Sequence, residues 1–390
     1  MLDQIEGSQA IARTVACCRP QVVCAYPITP QTHIVEALGA RCKTGELADC
    51  RFVNVESEFA AMSVAIGASA TGARAYTATA SQGLLYMAEA VYNAAGLGLP
   101  IVMTVANRAV GAPINIWNDH SDAMALRDSG WVQLYATDNQ HAVDLHPLAY
   151  RLAEDMSLPV MVCVDGFVLT HAVERIDVPE QDRVDAFLPP FVPRQALDPA
   201  HPLTIGAMVG PDAFTEVRYL AHQTMSQVPG ALADATAEFG RVFGRDRPPF
   251  LQPYRLEDAE TVVVSSGSVG GTLADVVDEL RDDGHRVGAL SVTLYRPFPT
   301  DAVRAALDGA RRVVVVDRAV AAGGTGFLFA DTRPAVPAGA EMTGVIAGLG
   351  GRPVTRASLR DHLATVLAGQ AAPLTFLDLR PAPVPAGGDR

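Results

Sequence analysis

The sequence predicts an α/β protein: a parallel sheet covered by helices, followed by a second, smaller α/β domain. Three observations lead there. Short apolar runs alternate with helical stretches of about 10–15 residues, the pattern of βαβ units. The runs are near-continuously apolar, as strands covered on both faces are. The alternation stops between two proline-rich stretches, LPPFVPR at 188–194 and RPPFLQPYR at 247–255, and then restarts.

Taken in order, Ser8 is placed to cap a first helix running to about Cys18. Residues 21–25 (QVVCA) form a short buried strand. Tyr26-Pro27-Ile28-Thr29-Pro30 cannot extend it, because each proline removes a backbone donor. A helix follows over about 32–42, then a strand at 51–55. Residues 58–70 read as a helix very rich in small apolar side chains. A strand at 75–79 ends in a Ser81-Gln82-Gly83 turn, about 84–95 is helical, and 100–105 is a further strand. Residues 160–164 (VMVCV) are expected to close this sheet. Between the proline-rich stretches, 215–239 reads as helix. Beyond them, strands at 261–265, 287–293 and 311–317 alternate with helices at 271–282 and 300–307. The resulting division is 1–245, 256–375 and a mobile tail at 376–390, since PAPVPAGGDR from Pro381 lacks apolar periodicity.

Composition excludes several classes of function. At 390 residues and 49% hydrophobic content the chain buries a core without disulfide staples, and it is not a disordered chain. Thirty basic against 43 acidic residues give a net charge of −13, which disfavours nucleic acid and anionic membrane surfaces. The six cysteines (Cys17, Cys18, Cys24, Cys42, Cys50, Cys163) show no C-x-x-C spacing, so neither a zinc ribbon nor a ferredoxin-type cluster is expected on this chain. MLDQIEGSQAIA has no basic region before an apolar one and does not read as a signal peptide. The uncharged stretch 90–107 is broken by Asn93, Gly96, Gly98 and Pro100 and does not read as a membrane span. The expected location is the cytoplasm.

Ligands of open α/β sheets bind at the carboxyl ends of the strands, and three such loops carry polar candidates. Thr29 offers a hydroxyl in a proline-flanked turn, able to bond a substrate carbonyl or carboxylate, or simply to end a strand. Glu58, with Glu56 nearby, opens an apolar helix. Either carboxylate gains from the helix dipole, and one entering an apolar interface is also able to share a proton. Asn107-Arg108 follows a strand, and Arg108 could clamp a small carboxylate or pair with Asp119 or Asp122. His120, flanked by Asp119 and Asp122, reads as a ligand or base or as a hydrogen-bonded loop residue. The Gly-rich loops 267–271 (GSVGG) and 323–326 (GGTG) suit either anion binding or tight packing. Neither G-x-G-x-x-G after a strand nor G-x-x-x-x-G-K-[ST] is present, and neither is G-x-S-x-G or H-E-x-x-H.

Together YPITP (26–30), ESEFAAM (56–62), TASQGL (79–84), ANRAVGAPINIWNDHSDAMALRDSGW (106–131) and PVMVCVDGFVLTH (159–171) resemble, in order and spacing, the α subunits of pyruvate:ferredoxin oxidoreductases (pyruvate synthases), within the 2-oxoacid:ferredoxin oxidoreductases. The resemblance covers roughly residues 5–330. It implies a thiamine diphosphate pyrimidine-binding domain at 1–245 and a smaller transketolase C-terminal-like α/β domain at 256–375. It places Glu58 at N1′ of the aminopyrimidine, favouring the imino tautomer that takes the thiazolium C2 proton. Thr29 then contacts substrate, Arg108 lies near its carboxylate, and Tyr26, Pro27 and Ile28 line the cofactor ring. The implied reaction is reversible oxidative decarboxylation of pyruvate with coenzyme A to acetyl-CoA, CO2 and reduced ferredoxin. The same chemistry on an aryl glyoxylate, a branched-chain 2-oxoacid or oxalate is the alternative, and a non-catalytic scaffold the second. The G-D-G motif of the diphosphate and magnesium site is absent; the nearest string is Asp282-Asp283-Gly284. Mg2+ and the iron–sulfur clusters are therefore expected on partner chains: a β subunit, a γ subunit and a ferredoxin-like δ subunit. External ferredoxin would take the electrons, and the chain alone would be inactive. A hetero-oligomer is expected, as a dimer of protomers.

Overall fold

The computed structural model describes residues 2–381. The first unit runs β1 (Leu2–Glu6), α1 (Gly7–Cys17), β2 (Val22–Ala25), α2 (Thr32–Thr44), β3 (Arg51–Asn54), α3 (Glu58–Ala70), β4 (Ala75–Thr79), α4 (Ser81–Tyr86), α5 (Ala88–Gly96) and β5 (Val102–Asn107). It continues with α6 (Ser121–Ala125), β6 (Val132–Tyr135), α7 (Asn139–Met156), β7 (Val160–Asp165) and β8 (Val173–Asp177). Helices α8 (Gln181–Phe187) and α9 (Pro211–Phe243) lead to β9 (Leu251–Tyr254), β10 (Thr261–Ser265), α10 (Val269–Asp282), β11 (Val287–Val292) and β12 (Leu294–Arg296). The chain then passes through α11 (Thr300–Ala306), β13 (Arg312–Asp317), α12 (Phe327–Thr332), β14 (Glu341–Ile346), α13 (Arg356–Leu367) and β15 (Leu374–Phe376).

The large sheet has the order β12-β6-β7-β5-β4-β2-β3, and every pair from β6 to β3 is parallel. Strands β4, β5 and β7 are buried along their whole length, because side chains alternate between two helical layers. Along β5, Val102 and Ala106 join Ile11, Leu38 and Leu145 on one face, while Met103 and Val105 join Met62 and Val91 on the other. That second core continues without a break into Val262, Val264, Leu290 and Val315 of the smaller sheet, whose order is β15-β14-β13-β10-β11-β9. A short ribbon of β1 and β8, antiparallel, lies apart from both sheets.

Several expectations are corrected. Residues 160–165 do not close the sheet: β7 lies between β5 and β6, and the edge is β12, which pairs antiparallel with β6. Strand β6 is only four residues long, and its Gln133 breaks the apolar run to donate to the Ala123 carbonyl. β12 falls inside the expected second domain at 256–375 yet belongs to the first sheet. Conversely, β9 precedes residue 256 and joins the smaller sheet, where Pro253 is tolerated because the strand is an edge. Ser8 does not cap α1. It lies inside the helix, buried, and donates to the Thr170 carbonyl at 2.7 Å. The Ser81-Gln82-Gly83 turn is the first turn of α4. α9 is longer than expected, beginning at Pro211 in its first turn and ending at Gly244 in the left-handed region. Phe376, the first residue of the expected tail, pairs with Ile346 in β15. Residues 382–390 of that tail lie outside the described residues.

Candidate active site

From β2 the chain moves outward to β3 and returns to β4 on the other side of β2. The carboxyl ends of β2 and β4 therefore flank a topological switch point, where open sheets leave a crevice. The Thr29 loop follows β2 and the Ser81–Gly83 turn follows β4. Glu58 enters from α3, whose first turn is set by Ser57 accepting from the Ala60 amide at 3.2 Å.

Glu58 is buried, at 7% exposure. No donor among the described residues binds its carboxylate. A Cβ at Gly83 would lie 2.5 Å from Glu58 Oε1 and 2.7 Å from Thr79 Oγ1. Gly83 therefore lets both oxygens approach its backbone more closely than any side chain there would allow. The Thr79 hydroxyl, fully buried, also has no hydrogen-bond partner. A buried polar group without a partner costs about 1–3 kcal/mol, and the unpartnered Thr79 hydroxyl beside the donor-free Glu58 carboxylate is a polar pair that a polar ring would satisfy. The residues present thus fit an aminopyrimidine.

The Arg108 guanidinium forms no ion pair with Asp119 or Asp122. Its Nε donates to the Asn115 carbonyl at 3.0 Å and its Nη1 to the Thr29 carbonyl at 2.9 Å. The guanidinium thus joins the loop after β5 to the loop after β2, bringing Arg108 and Thr29 together. Thr29 is exposed, Tyr26 and Pro27 are exposed beside it, and half-buried Ile28 packs on the core. Gln31 secures this loop, donating to the Tyr26 carbonyl at 3.2 Å and to the Ala78 carbonyl at 2.6 Å.

Asp122 organises the other side. Its Oδ2 accepts from the Ser81 and Arg108 amides, both at 2.9 Å, and its Oδ1 from Asn107 Nδ2 at 2.8 Å and the Ala123 amide at 2.7 Å. Burial pushes its carboxyl up to about 6 against the pull of those donors. Asp119 instead holds Ser121 and the Gly350 amide. Gln31, Gly83 and Asp122 were missed as site residues by sequence reasoning. The signal available was their position four to six residues beyond a strand's carboxyl end, or inside the polar segment after β5.

His120 belongs to the seam with the smaller sheet. Its Nε2 lies 2.7 Å from Asp165 Oδ1, at the end of β7. Asp165 Oδ2 accepts from Arg318 Nη1 at 2.6 Å and from the Ser268 amide at 2.9 Å. Burial alone pushes the Asp165 carboxyl up. Arg318, His120 and Ser268 outweigh it and hold the group well below the usual carboxylate range. The Gly-rich loop after β10 thus meets an anion, but the anion is the protein's own Asp165; a Cβ at Gly267 would lie 2.8 Å from it. The loop 323–326 leads likewise to Asp317, which accepts from the Leu328 and Phe329 amides at 2.7 and 2.9 Å. Asp282 and Asp283 end α10, with Gly284 in the left-handed region beyond.

A doubly wound sheet with an open buried carboxylate at its switch point, joined through one core to a second parallel α/β unit, defines a cofactor-binding α/β enzyme chain. Comparison with known proteins gives the family. Residues 14–236 match the family described as pyruvate flavodoxin/ferredoxin oxidoreductase, thiamine diphosphate-binding, and residues 259–359 match the pyruvate:ferredoxin oxidoreductase core domain II. The chain belongs to this family, and with it to the thiamine-dependent 2-oxoacid oxidoreductases. It is 51% identical to the pyruvate synthase subunit PorA of Methanosarcina barkeri over 332 residues, 84% of this chain and 83% of that protein. It is 44% identical to PorA of Thermotoga maritima over 362 residues, 91% of this chain and 92% of that protein. Among solved structures, the 2-oxoglutarate:ferredoxin oxidoreductase of Magnetococcus marinus shares the fold at a TM-score of 0.68 and 18% identity, over 93% of this chain and 65% of that one. A split-gene transketolase in an inactive β4 tetramer shares it at 0.54 and 13% identity, over 95% of this chain and 100% of that one. Among the described residues no helix is long and apolar enough to cross a membrane.

Proposed function

We propose that this chain is the cofactor-activating subunit of a reversible pyruvate:ferredoxin oxidoreductase. The reaction joins pyruvate and coenzyme A to give acetyl-CoA and CO2 and passes two electrons to ferredoxin. The observation that carries the reading is the Glu58 carboxylate, buried, without a donor, and lying beside Gly83 and the unpartnered Thr79 hydroxyl. Thiamine diphosphate, when bound, supplies the carbanion chemistry that decarboxylation requires. Glu58 would hold the proton at N1′ of its aminopyrimidine, and Thr79 would offer a hydroxyl to the same ring. Tyr26, Pro27 and Ile28 would line the ring's far side. Thr29 would meet the substrate's carbonyl end. Arg108 keeps Nη2 clear of the two carbonyls it already binds, and that nitrogen would face the substrate carboxylate.

The rest of the site belongs to partner chains. The sequence lacks the G-D-G motif, so the diphosphate and Mg2+ fall to a β subunit, and the clusters to γ and δ subunits. The loops bordering the crevice expose Tyr26, Phe59, Ile114 and Trp117, the last two at 76% and 52%, a surface suited to a partner chain. Six free thiols suit a reducing cytoplasm. The test is anaerobic purification of the chain with its native partners, then a 2-oxoacid screen by dye reduction. Pyruvate is expected to give the highest kcat/KM, with activity dependent on thiamine diphosphate and lost on Glu58→Ala. Full activity in the Glu58→Ala complex, or thiamine-dependent turnover by the lone chain, would overturn the proposal.

A further inference from the structure

We infer that Glu6, His33 and His171 form a binding site for one divalent transition-metal ion of the zinc type. The three residues come from three segments: the β1–α1 junction, the first turn of α2 and the loop after β7. Their ligand atoms all lie within 4.8 Å of one another. Glu6 Oε1 is 2.7 Å from His33 Nδ1, and the His33 and His171 rings lie 4.6 Å apart between centroids.

Local structure leaves each group available. Glu6 stands at the N-cap of α1 but makes no capping bond. The Gly7 and Ser8 amides are taken instead by the Ala172 and Thr170 carbonyls, at 3.0 and 2.9 Å. The Glu6 carboxylate is thereby released to face His33. His171 Nδ1 sits 2.8 Å from the hydroxyl of buried Thr170, which fixes the ring and leaves Nε2 for an ion. This is the outer-sphere hydrogen bond that ligating histidines ordinarily use. The Phe167 ring, 4.7 Å from His171, covers one side.

Two imidazole nitrogens and one carboxylate are the donor set of a borderline ion such as Zn2+, with a fourth position open to solvent. Ca2+ and Mg2+ want all-oxygen shells and fit poorly. At ordinary zinc bond lengths, tetrahedral geometry separates ligand atoms by about 3.3 Å. The 2.7 Å contact between Glu6 and His33 therefore opens slightly on binding. An ion there ties together the segments around the Thr29 loop. His33 follows that loop by four residues, and a Cβ at Gly166 would lie 2.6 Å from Pro30.

The test is titration of the chelator-treated full chain with Co2+, followed by competition with Zn2+ against a chromophoric chelator. One equivalent should bind, with visible bands of a four- or five-coordinate nitrogen and oxygen site. Zn2+ should raise Tm. Glu6→Gln, His33→Gln and His171→Gln should each weaken binding by more than about tenfold, with unchanged circular dichroism in the absence of metal. No saturable binding by the wild-type chain would overturn the inference. So would binding that survives His33→Gln with His171→Gln, or a thiolate charge-transfer band, which would place the ion on cysteines. None of these readouts depends on activity, so the result is separate from that of the proposed reaction.

Discussion

Two carboxylates at the carboxyl edge of the large sheet are buried to similar degrees and treated oppositely. Asp165 is saturated: His120, Arg318 and Ser268 bind both its oxygens and join the two sheets. Glu58, at the switch point, is bound by no donor among the described residues and lies against a glycine. A structural carboxylate is stabilised by the protein's own donors, since desolvation without them is expensive. A buried carboxylate without donors is open to a ligand. The same contrast separates Asp122, with its four N–H donors, from Glu58.

The comparison breaks most visibly through Glu58. In the assembled complex Glu58→Ala should lower pyruvate-dependent dye reduction by roughly 10²–10⁴-fold, while urea unfolding of the chain shifts by less than about 1 kcal/mol. Arg318→Ala should do the reverse. Leaving Asp165 buried with one partner fewer should cost about 3–5 kcal/mol of stability, read by the same urea titration. Gly83→Ala sharpens the contrast within the crevice. Its backbone is helical, so alanine is accepted, but the methyl group meets Glu58 and Thr79, and activity should fall about 10²-fold.

The acid limb gives a smaller effect. The Asp165 carboxyl is held below its unfolded value, so its stabilisation is fully present above about pH 4 and is lost as pH falls toward the depressed folded value. The stability gap between wild type and Arg318→Ala should therefore be constant above about pH 4 and narrow below it. A gap that widens in acid would show that Arg318 acts through some other group. Gly271→Ala is the control for the glycine argument. Nothing lies within 4 Å of a Cβ there, so it should leave activity unchanged and stabilise α10 by at most about 1 kcal/mol.

The site was legible in part. Glu58 and Thr29 each stand four residues beyond a strand, and Arg108 follows the strand at 102–107 by one residue, so period and position single them out as candidates. Their partners were not legible. From sequence Arg108 reads as a clamp or an ion-pair member, whereas its guanidinium binds two backbone carbonyls, and no residue type announces such a contact. Asp122 and Gly83 matter through distances set by three different loops. The sequence does not separate ligand from loop residue at His120, because Asp165, 45 positions away, decides the matter.

The sequence by itself determined the α/β class, the parallel pairing and the strand-end loops. Apolar period, proline and small-residue patterning are local signals, and these features follow from them. The tertiary structure alone decided that β7 is interior, that β12 leaves its own unit to edge the first sheet, and which carboxylate stays open. Those outcomes depend on which donors from distant segments reach each buried oxygen, and desolvation makes that choice energetically decisive only once the sheets have packed.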